Sequence, residues 1–271
     1  MITLEELQAG IILPIDKPRQ WTSFQAVNKI KAVVRNTYGL KKFKIGHAGT
    51  LDPLATGLLL VCLGKATKRI PELQDGDKIY SATLVLGATT PCYDLEQAVD
   101  HYYPYEHITR ELLSETISQF TGTIMQVPPI FSAVKIDGQR AYEIARINNE
   151  ELKTKNDGPR AKPVTIYSIE ITDFRVSTTP NAPIVPLIHT PHSERHLYDH
   201  PQGEVPPHLP QVDVRIHCSK GTYIRSIARD LGLALGSGAF LSALRRESIG
   251  DYTVDRALHL DQVASFFADG L

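Results

Sequence analysis

The spacing of apolar residues along the 271-residue chain changes character several times. Phe24, Val27, Ile30 and Val34 recur at helical intervals, with Thr22 or Ser23 placed to cap the start and Gly39 to end it. They predict a helix that also carries Lys29, Lys31 and Arg35, which read as a solvated face. The apolar run Leu58–Leu63 predicts a buried strand, and the loose alternation of Lys78–Leu86, ended by Gly87, predicts another. Further on, a helix is expected over Ile108–Phe120 before Gly122, then an extended stretch at Gln126-Val127-Pro128-Pro129 and a short helix over Gly138–Arg146. Strands over Val164–Val176 and Val212–Cys218 follow, then a helix over Thr222–Leu235 before Gly236. Strands and helices mix without a regular strand–helix repeat, which points to an α+β fold rather than a doubly wound sheet.

One stretch breaks the pattern. Thr178–Gln211 holds eight of the 18 prolines and five of the ten histidines. His192, His196 and His200 would line one face of a helix and could bind a metal, but Pro191 and Pro201 bracket them. A surface insertion is the expected reading of 178–211.

Composition bounds the class. Hydrophobic content of 42% and charged content of 22% are ordinary for a globular chain. No apolar run approaches the ~18–20 residues of a membrane span. The N-terminus lacks the basic start of a signal peptide. Cys62, Cys92 and Cys218 are widely spaced and odd in number, which suggests reduced thiols in a cytoplasmic protein and no structural zinc.

The net charge of −1 conceals a strong asymmetry. Residues 17–71 carry eleven Lys or Arg and one acid, Asp52, for a charge of +10; the rest of the chain sums to −11. Such a segment is a candidate footprint for a polyanion. Asp52 lies in Gly46-His47-Ala48-Gly49-Thr50-Leu51-Asp52-Pro53-Leu54-Ala55-Thr56-Gly57, a run dense in turn formers. Two readings stand for it. Asp before Pro is a common turn residue that caps its own backbone. A carboxylate in basic surroundings, flanked by glycines that admit a ligand to the backbone, also suits a nucleophile acting on nucleic acid. A second basic cluster, Arg215, Lys220, Arg225, Arg229, Arg245 and Arg246, lies further along. With Thr222 as cap, Arg225 falls in a first helical turn, where the dipole disfavours a cation, so an anionic partner is expected and Asp52 is an attractive one. A solvated arginine is the plainer alternative. Tyr80 reads first as a packed strand residue, and His47 as either an RNA contact or a hydrogen-bonded turn histidine.

Taken together these motifs resemble those of the TruB-type tRNA pseudouridine synthases. The resemblance rests on Gly46–Gly57, on Asp16-Lys17-Pro18 with Trp21-Thr22-Ser23, and on Gln126-Val127-Pro128-Pro129 with Ser132-Ala133-Val134-Lys135. Cys218-Ser219-Lys220-Gly221-Thr222-Tyr223-Ile224-Arg225 and Leu244-Arg245-Arg246 continue it in the same order. It covers roughly residues 10–176 and 212–250. It implies a pseudouridine synthase fold: α+β, with a mixed, mainly antiparallel sheet, flanking helices and a central RNA-binding cleft. It implies isomerisation of uridine 55 in the T-arm of tRNA, without cofactor or metal. By motif position Asp52 would be the nucleophile, Tyr80 would stack on the target base, and Arg225 would pair with Asp52. Tyr223 and Leu244 would line the base pocket, Lys17 would support it, and His47 would contact the T-loop.

The chain departs from the pattern at Gln20, where glycine is usual, and at Phe131, where tyrosine is usual. One catalytic domain over 1–250 is expected, followed by a short tail over 251–271 with no room for a PUA domain. The protein is expected to act as a monomer with no obligate protein partner and no membrane. The rival readings are an RNA-binding or tRNA-folding protein with incidental turnover, and a synthase acting on another RNA. A glycoside hydrolase would need a second carboxylate near the first.

Overall fold

The computed structural model describes residues 2–131, 135–136, 139–140, 159–176 and 203–269. In chain order the helices are α1 (Leu4–Ala9), α2 (Ser23–Tyr38), α3 (Ile70–Asp75), α4 (Arg110–Ser118), α5 (Ile224–Ala234) and α6 (Val263–Asp269). The strands are β1 (Ile11–Lys17), β2 (Ile45–Ala48), β3 (Thr56–Leu63), β4 (Lys78–Leu86), β5 (Ala88–Thr89), β6 (His101–Tyr102) and β7 (Gly122–Gln126). They continue with β8 (Lys135–Ile136), β9 (Gln139–Arg140), β10 (Lys162–Arg175), β11 (Gln211–Cys218), β12 (Ala239–Ile249), β13 (Tyr252–Thr253) and β14 (Leu258–His259). Most strand pairs are antiparallel; β1 with β14 and β3 with β12 are parallel. The fold is therefore mixed and mainly antiparallel, as expected.

The described residues form two compact units, and the chain passes between them within β4 and within β12. The first comprises Met1–Ser81 and Leu244–Leu271. Its strands run in the order β14-β1-β3-β12, with β2 also paired to β3. The run Leu58–Leu63 is buried on both faces, which explains why it reads as continuous apolar sequence. Leu59, Val61 and Leu63 share a core with Ile30 and Val34 of α2 and Val263 and Phe267 of α6. Leu58, Leu60 and Cys62 join Ala48, Leu73 and Ile249 in another. The expected tail thus contributes core residues. Helix α2 has the predicted ends: Thr22 and Gln25 form a capping box, and Gly39 closes the helix in the left-handed conformation. Phe24 is the exception, because it is 68% exposed rather than packed.

The second unit lies within Ala82–Leu187 and His200–Ala243. Its strands run in the order β4-β11-β10-β7. The short helix expected over 138–146 begins instead as a strand: Gln139 and Arg140 pair antiparallel with Ile136 and Lys135. The rest of that stretch lies outside the described residues. The end of the expected surface insertion, 203–211, is packed: Leu209 is fully buried, and Leu86 donates its backbone N–H to Pro210 at 2.9 Å. The remainder, with His192, His196 and His200, lies outside the described residues. Cys62, Cys92 and Cys218 are buried and form no disulfide. No helix of the described residues is long and apolar enough to cross a membrane.

Candidate active site

Strand register assembles the site in the first unit. In the antiparallel β1–β3 pair Lys17 lies opposite Gly57, and in the parallel β12–β3 pair Arg246 lies opposite Gly57. The end of β1, the start of β3 and Arg246 within β12 therefore meet where the loop carrying Asp52 enters β3. Gly57 has φ +99°, and a Cβ there would stand 2.3 Å from the Arg246 carbonyl oxygen. Only glycine allows β12 this close.

The Asp52 loop is gripped from several sides. The Ser23 hydroxyl accepts from the Leu51 N–H at 2.9 Å and donates to the Leu51 carbonyl at 3.2 Å. Lys17 is fully buried, and its Nζ donates to the carbonyls of Pro18, Trp21 and Pro53 at 3.0, 2.6 and 3.3 Å. Those three bonds tie the loop after β1 to the residue beside Asp52. Burial pulls the Lys17 pKa down to about 7; the Asp52 carboxylate pushes it up, the Arg246 charge down and Asp16 up. Lys17 and Asp52 are thus within electrostatic reach of each other. Arg246, 2% exposed, donates from Nε to the Leu58 carbonyl at 2.8 Å and from a terminal nitrogen to the Gly49 carbonyl at 3.1 Å. It binds the two ends of the loop together. Arg245 makes a two-pronged ion pair with buried Asp16 at 3.0 and 2.7 Å. His47, half-buried on β2, has its pKa lowered by burial, raised by a hydrogen bond with the Gly49 backbone and lowered by the Arg246 charge. Tyr80 is buried on β4, and Leu244 is half-buried beside Thr56.

Gln20 explains its own departure from the family pattern. Its φ is +67°, in the left-handed region that favours glycine, and its N–H donates to the Pro53 carbonyl at 2.8 Å. Gln20→Gly is expected to hold or raise stability by up to about 1 kcal/mol, and β-branched Gln20→Val to lower it by about 1–2 kcal/mol. Urea denaturation checks this; a valine variant as stable as the parent would refute strain at this turn.

In the second unit the start of α5 is organised by Gln126. Tyr223, not Thr222, is the N-cap, and no side chain caps it from within the helix. Gln126 instead accepts from the Tyr223 N–H at 2.8 Å and donates to its carbonyl at 3.2 Å. The Val127 carbonyl accepts from Ser226 and Arg229 at 2.9 and 3.0 Å. The Gln-Val-Pro-Pro motif is thus a docking strip for α5. Arg225 is 5% exposed and donates to the carbonyls of Cys92 and Phe131 at 3.2 and 2.9 Å. Its Nε lies 3.7 Å from the Asp94 carboxylate. Asp94 supplies an anionic partner for a first-turn cation, so the dipole no longer singles out Asp52. Burial, then the Asp94 charge, pushes the Cys92 thiol up to about 12, and its Sγ donates to Asp94 at 2.9 Å.

Five residues expected at the site, Lys17, His47, Asp52, Tyr80 and Leu244, therefore fall in the first unit, and Tyr223 and Arg225 in the second. The reading of the chain missed Arg246, the Arg245–Asp16 pair, Ser23, Asp94 and Gln126. Most of these lie inside or beside the motifs, but nothing local says which contacts they make. No cluster of three or more His, Cys, Asp or Glu set to hold a metal occurs among the described residues.

Two family profiles match the chain: the N-terminal domain of the TruB family pseudouridylate synthases over residues 35–182, and the tRNA pseudouridylate synthase B C-terminal domain over 225–270. A tRNA pseudouridine synthase B from Flavobacterium johnsoniae is 48% identical, with 96% of each chain covered. The chain belongs to the TruB pseudouridylate synthase family. A protein of the same name from Phocaeicola vulgatus is 45% identical over 93% of this chain and 91% of its own. Among solved structures, a Cbf5-Nop10-Gar1 complex matches with TM-score 0.58 and 24% identity over 98% of this chain. The match takes in 57% of that chain, so this protein spans little more than half its length. At that identity the likeness is one of fold. The C-terminal profile extends over α6, in keeping with its place in the core.

Proposed function

We propose that this protein is a tRNA pseudouridine synthase that isomerises uridine 55 in the T-arm, with Asp52 as nucleophile. The observation that carries the reading is the setting of Asp52. It is the sole acid of the basic 17–71 segment, on a loop clamped by Ser23, Lys17 and Arg246, in a chain 48% identical to a relative named for that activity. The target uracil is stacked within a folded RNA loop and must be flipped out to be reached. Asp52 then attacks either C1′ of the ribose or C6 of the base. The C1′–N1 bond breaks, the ring turns, and a C1′–C5 bond forms. The hydrogen on C5 leaves as a proton and N1 gains one, so the reaction needs no oxidant or reductant. A loop held at Leu51, Pro53 and Gly49 keeps the carboxylate in place through these steps, which is where positioning contributes to rate.

In this reading Tyr80 stacks on the base and takes up the C5 proton. Leu244 lines the pocket, Lys17 supports the loop, and His47 contacts the T-loop. The enzyme works as a monomer in the cytoplasm without cofactor. Tritium release from a tRNA transcript carrying 5-tritiated uridine tests the activity, and a transcript with cytidine at position 55 tests the site. Release that survives in the cytidine transcript would exclude position 55 as the target.

Electrostatics should dominate affinity. If the basic segment neutralises about five phosphates, log K should fall against log salt with a slope near −4. A filter-binding slope near zero would remove the polyanion footprint.

A further inference from the structure

Helix α2 carries no acidic residue. Its buried positions are Ser23, Ala26, Val27, Ile30 and Val34. Phe24, Asn28, Lys31 and Arg35 follow at i, i+4, i+7 and i+11, which places them along one face. Phe24 is 68% exposed, Asn28 and Arg35 are exposed, and Lys31 is half-buried. Arg35 keeps its Nε on the Leu40 carbonyl at 3.2 Å, which anchors its guanidinium at the far end of the helix. Phe24 follows directly on Ser23, whose hydroxyl holds the loop of Asp52. Lys29 lies on another side, with its ammonium 5.4 Å from the Trp21 ring centre. An exposed aromatic ring, one residue on from the serine that holds the Asp52 loop, is followed by cations about 10 and about 16 Å further along the helix axis; together they form a base-stacking platform followed by phosphate contacts. Charge decides the occupant, because the 17–71 segment is +10 and a polyanion with exposed π-faces fits both features.

We propose that this face of α2 is an RNA-docking track, on which Phe24 stacks against an unpaired base of the substrate while Lys31 and Arg35 meet phosphates. This rests on the reading of tRNA as substrate. The measurement is filter binding of an unmodified tRNA transcript by the full chain, which does not require turnover. Phe24→Ala should weaken binding about 5- to 100-fold at fixed salt without changing the salt slope, as expected for one stacked base. Phe24→Tyr should stay within about three-fold, and Phe24→Leu should behave like alanine. Lys31→Gln with Arg35→Gln should reduce the slope by about 2. Melting temperatures should hardly change, because these side chains pack little.

Unchanged binding by Phe24→Ala would overturn the track, as would wild-type binding by Phe24→Leu or a loss that follows a lowered melting temperature. If instead the wild-type protein binds tRNA with the predicted variant pattern but releases no tritium, the activity reading falls and the track stands.

Discussion

Asp52→Asn is expected to abolish pseudouridine formation, with a fall of about a thousandfold or more, while tRNA binding stays within a few-fold. Asparagine keeps the size and turn propensity of aspartate, and the backbone turn in which Ala55 donates to the Asp52 carbonyl at 3.1 Å does not need the carboxylate. Nucleophilicity is what is lost. Binding survives because it rests on the cationic surface, and removing a negative charge lowers repulsion with phosphate. One side effect follows from the geometry. The Asp52 charge supports the Lys17 ammonium against the cost of burial, so the variant should hold Lys17 less readily in its charged form. Tritium release beside a filter-binding titration on the same sample checks the prediction. An active Asn variant would exclude Asp52 as nucleophile. A variant that neither binds nor folds would make the carboxylate structural.

Gly57→Ala should cost about 3 kcal/mol or more and take activity with it. Two effects combine at this position. A φ of +99° is strained for any residue with a Cβ, at about 1–3 kcal/mol. The added methyl would also meet the Arg246 backbone at 2.3, 2.8 and 3.0 Å, so β12 must move away from β3. That shift would carry Arg246 off Gly49 and Leu58 and loosen the nucleophile's loop. Gly221→Ala is the control. It shares a positive φ of +80° but has nothing within 4 Å of the new carbon, so only the strain remains, about 1–2 kcal/mol. Chemical denaturation of both variants separates the contributions. Equal losses would mean that the approach of β12 does not limit this position.

What the sequence determined by itself was local. Helix α2 with its capping residues, the buried strand at Leu58–Leu63 and the bounds of β4 were readable because periodicity, caps and turn glycines act within a few residues of one another. The family was readable because its motifs occur in order and carry the candidate nucleophile. The tertiary structure decided what depends on strand register and long separation. Asp16 meets Arg245 across 229 positions, and Arg246 reaches Gly49 across 197. It placed Asp94 beside Arg225, took the N-cap of α5 from Thr222 and assigned it to Tyr223, and exposed Phe24 on a helix whose pattern had placed it inside. It also turned the end of a proline-rich stretch into core at Leu209. Period and composition say which residues can be buried or charged. Which partner each one finds is set only when β1, β3 and β12 come together, because a buried cation must satisfy its hydrogen bonds with whatever carbonyls and carboxylates the register delivers.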